Sequence, residues 1–182
     1  ARSGGNYNVW VLRTSNFAQI VGKTTTDNLM DVIGQTKELS ERYQVDESNV
    51  FIDATGLGAG VYDRFRETGW DVTGINLSES AIEPEKYINI RAEGYFRLRQ
   101  WIKDGGTLKK DSSFFQLNDI KYKLRSNGKL KIIDKDTLKM RGIPSPDVAD
   151  ALMLTFCRPE ENRSTTRRRE VYYKQRSQPK YE

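Results

Sequence analysis

The stretch Val50 to Val61 (VFIDATGLGAGV) constrains the fold of this chain more than any other part of the sequence. It begins with three consecutive strand-forming residues, as in a strand covered on both faces of a sheet. Asp53 follows directly, and open α/β sheets carry their functional groups at the carboxyl ends of strands. The glycines that come next allow a sharp turn into a helix. The stretch therefore predicts a buried strand, a carboxylate at its end and a helix after a glycine-rich turn.

Two segments resemble nucleotide-binding motifs but lack residues that those motifs require. Gly22-Lys23-Thr24 resembles the end of a P-loop, but Phe17 stands where the first glycine belongs, and the segment is itself a predicted strand. In Gly56 to Val61, a valine replaces the third glycine of a dinucleotide fingerprint, and no acid follows at the expected distance. The sequence therefore favours chemistry at Asp53 itself over nucleotide binding.

The order of the predicted elements is typical of an α/β domain with parallel pairing. Apolar periodicity and turn residues predict strands over 9–14 and 17–24, a helix from Thr26 or Asp27 to Tyr43, a helix over 59–68, a strand over 70–77, a helix over 91–103 and a hairpin over 120–133. The Asn127-Gly128 step is the turn signal of that hairpin.

A second group of acids follows Ser145-Pro146, which predicts a helix start with Ser145 as N-cap and Pro146 in the first helical position. Asp147 and Asp150 are three residues apart and share a helix face. Because the start of a helix favours negative charge, two aspartates are tolerated there. On spacing alone, Asp147 could equally serve as a simple cap, and Asp53 could simply close a turn.

Composition narrows the chemistry open to these acids. The chain has no histidine and one cysteine, which excludes His-based triads and most zinc sites. Carboxylates without histidine or cysteine suit Mg²⁺ or Mn²⁺. Two such ions about 4 Å apart cleave phosphodiesters in known enzymes.

Basic residues point to a polyanionic partner, since the net charge is +5. The predicted hairpin and the C-terminal segment supply the candidate DNA-binding residues: Lys121, Lys123, Arg125, Lys129, Lys131, Arg167, Arg168 and Arg169. Either group could also be an ordinary solvated surface. No apolar run approaches the roughly 18 residues that span a membrane, so we expect no membrane contact.

Phe51 to Val61 followed by Ser145 to Leu152 resembles the nuclease domain of bacteriophage terminase large subunits, of the RNase H-like superfamily. The similarity extends over about residues 1–157 and includes Gly74-Ile75-Asn76 and Tyr87 to Glu93. It implies an α/β fold with an RNase H-like mixed central sheet flanked by helices, and a β-hairpin added near the active site. The domain is expected over 1–157, with a basic tail over 158–182.

The resemblance also implies a site and an activity. Asp53 matches the family's second catalytic acid and Asp147 its third, while Asp150 matches an acid of resolvase-type members; all three would ligate two Mg²⁺ or Mn²⁺ ions. The family's first acid and first core strand would lie upstream of Ala1. The implied activity is metal-dependent cleavage of double-stranded DNA, the concatemeric viral genome, during packaging in the host cytoplasm.

The implied partners are the packaging ATPase domain, the portal and the small terminase subunit. Two alternatives remain open from the sequence. One is a Holliday-junction-resolvase-like nuclease with the same site. The other is a non-catalytic DNA- or portal-binding module in which the basic tail makes the contact.

Overall fold

The first sheet is built on an N-terminal hairpin in the computed structural model, which describes residues 7–55 and 57–158. Strands β1 (Asn8–Arg13) and β2 (Phe17–Thr24) pair in antiparallel, as the sequence predicts. Strand β5 (Thr107–Leu108) pairs with β2 in parallel. This sheet is therefore mixed.

Helix α1 (Leu29–Tyr43) starts slightly later than the sequence predicts. Its N-cap is Asn28, whose side chain accepts a hydrogen bond of 3.0 Å from the Met30 N–H. The predicted cap Thr26 instead donates its hydroxyl to Asp31 at 3.2 Å. A polar side chain closer to the first apolar residue has taken the capping role.

The predicted parallel unit forms the second sheet. Strands β3 (Phe51–Asp53) and β4 (Thr73–Ile75) pair in parallel and are joined by α2 (Leu57–Glu67). Strand β4 is shorter than the predicted 70–77, because the Trp70 N–H bonds to the Phe65 carbonyl in the turn that ends α2.

Helix α3 (Ile90–Lys103) is capped by Asn89, which accepts from the Ala92 N–H at 3.0 Å. The later hairpin consists of β6 (Tyr122–Leu124) and β7 (Leu130–Ile132), paired in antiparallel. Gly128 has φ +78° at its tip, a conformation that glycine adopts without strain. The Asn-Gly signal therefore predicts this turn correctly.

The last described helices are α4 (Lys135–Met140) and α5 (Asp147–Leu154). Pro146 is the N-cap of α5 rather than its first residue, and Ser145 lies outside the helix, which corrects both sequence assignments. The sequence did not predict α4 or β5. It also did not predict the two 3-10 helices, Glu47–Asn49 and Ser112–Asp119.

Two hydrophobic clusters lie on opposite sides of the strands. The larger one centres on α3 and α5, with Leu98, Leu152 and Met153 almost fully buried. Burial of each such side chain contributes about 1.5–3 kcal/mol to the free energy of folding. The smaller cluster contains the buried residues Ile33 and Phe65 with Val72. Helices therefore cover both faces of the strands.

None of the helices in the described part of the chain is long and apolar enough to cross a bilayer. The predicted division into a domain over 1–157 and a basic tail over 158–182 stays a prediction, since residues 159–182 lie outside the described residues.

Candidate active site

Asp53 is the last residue of β3, and hydrogen bonds hold one of its two carboxylate oxygens. Its Oδ1 accepts hydrogen bonds from Thr55, from the backbone N–H at 3.0 Å and from the hydroxyl at 2.5 Å. Its Oδ2 accepts no hydrogen bond from the described residues. The turn after β3 therefore orients the carboxylate and leaves one oxygen available.

Gly58 gives the glycine-rich turn a steric reason. A Cβ at this position would lie 1.8 Å from the Asp53 carbonyl oxygen, far inside van der Waals contact. The first turn of α2 thus rests directly on the backbone of Asp53, which only glycine permits. Gly58 therefore helps to position the acid.

Asp147, the first residue of α5, is held by neutral donors. Its Oδ1 accepts from the Ser145 hydroxyl at 2.6 Å, and its Oδ2 accepts from the Tyr7 N–H at 2.7 Å. It has no Lys or Arg partner among residues 7–55 and 57–158. Its negative charge is therefore oriented but not neutralised by the described part of the chain.

Gln116 caps helix α5, a role that the sequence did not reveal. Its Oε1 accepts from the Val148 N–H at 2.9 Å and from the Ala149 N–H at 3.4 Å. The capping residue lies 32 positions before Val148, so no local motif could have identified it. Because Gln116 takes these donors, Asp147 does not cap the helix with its own side chain.

Asp150 lies in a polar cluster, which we call the Asp150 network: Asp150, Arg91, Tyr95 and the half-exposed Lys135. Asp150 is only 8% exposed. Its Oδ1 accepts from the Tyr95 hydroxyl at 2.6 Å and from Arg91 at 3.4 Å, and Lys135 Nζ lies 2.6 Å from its Oδ2. Burial, followed by the Asp150 charge, raises the pKa of Tyr95 well above its usual value. Two cations and a phenol therefore surround this carboxylate.

Electrostatics link Asp53 to the region around α5. Burial, opposed by the Arg97 charge and assisted by the charges of Glu93, Asp53 and Asp150, raises the pKa of the Cys157 thiol to about 12. Within the described residues, however, no three Asp, Glu, Cys or His side chains form a group that could hold one metal ion. The three predicted acids do not make such a group together.

The strand register places the basic residues of the hairpin on one side, because side chains alternate along each strand. Lys123 lies directly opposite Lys131, and the Arg125 N–H bonds to the Lys129 carbonyl. We call this side the basic face, and it consists of Lys121, Lys123, Arg125, Lys129 and Lys131. Like charges directly opposite each other destabilise a hairpin, so this arrangement gains most from an anionic partner.

The other side of the hairpin packs on the protein only in part, since Leu124 near the tip is 68% exposed. Tyr122 packs edge-on against Phe96, with 5.1 Å between ring centroids, and Ile132 is buried. At its base, Arg91 donates to the Ile133 carbonyl at 3.4 Å. The hairpin is therefore connected to the Asp150 network. The other predicted DNA-binding residues, Arg167, Arg168 and Arg169, lie outside the described residues.

Comparison with known proteins gives a result for structure only. No family model matches the sequence, and no curated protein matches it. The nuclease domain of the large terminase subunit gp2 of bacterial virus Sf6 superposes with a TM-score of 0.70 and 23% identity, over 87% of this chain and 85% of that chain. The chain has the fold of a terminase nuclease domain.

Two further structures of terminase nuclease domains match. A variant of the Sf6 domain with manganese has a TM-score of 0.69 and 23% identity, over 83% of each chain. The large terminase nuclease from thermophilic phage G20c, with bound magnesium, has a TM-score of 0.51 and 14% identity, over 82% of this chain and 79% of that one. The predicted RNase H-like α/β fold is confirmed.

Proposed function

We propose that the chain is a metal-dependent endonuclease that cleaves double-stranded DNA during packaging of a viral genome. One observation carries the proposal: the terminase nuclease fold presents two oriented carboxylates, Asp53 and Asp147, with no cationic partner among the described residues. Both carboxylates are partly exposed, so their uncompensated negative charges are available to a cation from solution. The solved Sf6 and G20c domains contain manganese and magnesium, respectively.

The donor chemistry of Asp53 and Asp147 fits a divalent metal. Both supply hard carboxylate oxygens, which Mg²⁺ and Mn²⁺ prefer. In a mechanism with two ions, the bound metal supplies Lewis-acid chemistry that activates water and stabilises the leaving oxygen of the phosphodiester. The chain itself orients the two carboxylates through Thr55, Ser145 and the Tyr7 N–H.

For Asp150 we propose a different role from the predicted metal ligand. Its oxygens face Arg91, Tyr95 and Lys135, so binding a metal would require displacing at least one cation. In our proposal Asp150 holds Lys135 and the base of the hairpin in place. Asp53 and Asp147 then carry the metal.

We assign the basic face to the phosphates of the DNA backbone. Lys123, Arg125 and Lys129 have no acidic partner within the described residues, whereas Lys131 pairs with Asp134 at 2.9 Å. A phosphate near Lys123 and Lys131 would relieve their mutual repulsion. By family resemblance, the proposed partners in the host cytoplasm are the packaging ATPase domain, the portal and the small terminase subunit.

A plasmid-nicking assay with Mn²⁺, Mg²⁺ and a chelator tests the activity. Asp53→Asn should lower the nicking rate at least about 100-fold, because loss of a ligand exceeds the usual cost of losing a residue that only supports one. Asp63→Asn, at an exposed position of α2, is the matched control and should nick at the unaltered rate. Equal nicking by both variants would remove Asp53 from the site.

A non-catalytic DNA-binding module is the second candidate, because the described residues lack a group of three metal ligands. It predicts that the unaltered chain binds duplex DNA but never nicks it with either metal. A resolvase-like nuclease would instead cut a four-way junction much faster than a linear duplex. Both substrates belong in the same assay.

A further inference from the structure

The segment Gly22-Lys23-Thr24 is not a P-loop, because it lies inside strand β2. Packing explains its glycine, since a Cβ at that position would lie 3.1 Å from the Trp10 ring. The threonine hydroxyl accepts a hydrogen bond of 3.3 Å from the Thr26 N–H. Neither explanation extends to Lys23, whose side chain is exposed.

Lys23 lies over an aromatic ring beside the proposed metal site. Its Nζ is 3.9 Å from the centroid of the Tyr7 ring. The backbone N–H of the same tyrosine donates to the Asp147 Oδ2 at 2.7 Å. A single residue therefore separates the Lys23 ammonium group from a proposed metal ligand.

The charge of Lys23 is not neutralised by residues 7–55 and 57–158, with which its ammonium group makes neither a hydrogen bond nor an ion pair. An exposed contact with an aromatic ring is weak. Hydrogen bonds from Ser113 lower the pKa of the Asp111 carboxyl most, and the charge of Lys23 lowers it to a smaller extent. The three N–H donors of the ammonium group are therefore available to an anion from outside the chain.

Lys23 belongs to a different part of the fold from the basic face. Asp147, at the start of α5, contacts Tyr7, whose ring lies under Lys23. Asp150, one turn later, contacts Arg91, which bonds to the base of the β6–β7 hairpin. Phosphates recur about every 3.4 Å along the axis for each DNA strand, so a strand bound at Asp147 presents further phosphates on both sides of it.

We propose that Lys23 binds a backbone phosphate of the DNA strand next to the phosphate at the metal site, and that the Tyr7 ring positions Lys23. The ammonium group binds the phosphate as a point charge, and the ring limits the conformations of the flexible lysine side chain. Tyr7 acts through Lys23 and does not stack on a base. This inference rests on the proposed cleavage of DNA at Asp53 and Asp147.

The test measures binding of a short DNA duplex by fluorescence anisotropy at several salt concentrations, with a chelator present so that the duplex stays intact. The variants are Lys23→Gln, Lys23→Arg, Tyr7→Leu, Tyr7→Phe and the double variant Lys23→Gln/Tyr7→Leu. Lys37→Gln is the matched control, because Lys37 lies 4.9 Å from the centroid of the Trp70 ring and bonds to Thr68 at the end of α2. Circular dichroism verifies that each variant is folded.

We expect Lys23→Gln to weaken duplex binding roughly three- to tenfold near 0.1 M salt, and to make the slope of log affinity against log salt concentration shallower by about 1. Lys23→Arg, which keeps the charge, and Lys37→Gln should bind within about twofold of the unaltered chain.

Tyr7→Leu keeps the backbone N–H that bonds to Asp147 but removes the ring, and should weaken duplex binding about two- to fivefold. Tyr7→Phe should bind like the unaltered chain. In the double variant, Tyr7→Leu should add nothing to the effect of Lys23→Gln, because Tyr7 acts through Lys23.

Unaltered binding by Lys23→Gln, or equal weakening by Lys37→Gln, would overturn the assignment of Lys23. Further weakening in the double variant would overturn the positioning role of Tyr7. Lys23→Gln should bind Mn²⁺ at least as tightly as the unaltered chain, because it loses a positive charge near the metal site, and loss of Mn²⁺ binding would also overturn the proposal. If the unaltered chain neither binds duplex DNA nor nicks plasmid, the proposed function fails together with this inference. If it does both while Lys23→Gln binds normally, this inference alone fails.

Discussion

Asp147 and Asp150 lie one turn apart on the same helix, and their surroundings are opposite. Neutral donors hold Asp147, which is partly exposed, whereas Asp150 is 8% exposed and faces Arg91, Lys135 and the Tyr95 hydroxyl. The first arrangement leaves a negative charge available for a cation from solution. The second already contains its cations. Helical spacing shows that two acids share a face, but residues from other elements decide what each acid can bind.

The largest expected effect separates the two acids by stability. Asp150→Asn should lower the free energy of unfolding by about 3 kcal/mol, because it leaves Arg91, whose side chain is only 12% exposed, without its charged partner. Asp147→Asn should change it by no more than about 1 kcal/mol, since the Asn oxygen can accept from the Tyr7 N–H while its NH2 group donates to the Ser145 hydroxyl oxygen. Urea unfolding followed by circular dichroism measures both. Equal losses in the two variants would contradict the distinction between Asp147, which has no cationic partner among the described residues, and Asp150, which faces Arg91 and Lys135.

The second prediction concerns Gly58, which supports Asp53, the other carboxylate without a cationic partner among the described residues. Gly58→Ala should destabilise the protein by about 1–3 kcal/mol, because its Cβ would overlap the Asp53 carbonyl. The control is Gly34→Ala, at an exposed position of α1 with open space around it. Alanine there should stabilise the helix by about 0.5–1 kcal/mol. If Gly58→Ala were also stabilising, the close packing of α2 on Asp53 would be wrong.

The smallest expected effect on stability tests the basic face. Arg91 connects the base of this hairpin to Asp150. Lys123→Glu should stabilise the hairpin by about 0.2–1 kcal/mol, because opposite charges replace the like pair with Lys131. It should nevertheless weaken DNA binding. The slope of the logarithm of the DNA affinity against the logarithm of the salt concentration should become shallower by about 1. Fluorescence anisotropy at several salt concentrations measures this.

Lys103→Glu, at the exposed end of α3, makes the same change in net charge and serves as the control. It should leave DNA affinity nearly unaltered. Equal weakening by both variants would mean that net charge, and not the basic face, determines binding.

The sequence predicts those features that local rules determine. Asp53 could be placed at a strand end because the apolar run, the acid and the glycines are adjacent in the chain. The hairpin turn at Gly128 likewise follows from two neighbouring residues. Most of the helices appear near their predicted positions for the same reason.

Features that depend on distant residues were not predictable. Arg91 and Tyr95 lie 59 and 55 positions from Asp150, and Gln116 lies 32 positions before Val148. No motif relates these residues, because their contacts exist only after α3, the 3-10 helix and α5 have packed together. The short strand β5 depends on pairing with β2 and has too few residues for a periodic signal.

The central claim is that Asp53 and Asp147 bind the divalent metal and Asp150 does not. Calorimetric titration of Mn²⁺ into the unaltered chain and into the three Asp→Asn variants tests it, with circular dichroism to verify that each variant is folded. We predict that Asp53→Asn and Asp147→Asn weaken Mn²⁺ binding at least about tenfold, whereas folded Asp150→Asn binds within about twofold of the unaltered chain. Loss of Mn²⁺ binding in Asp150→Asn, with binding retained in Asp147→Asn, would contradict the account.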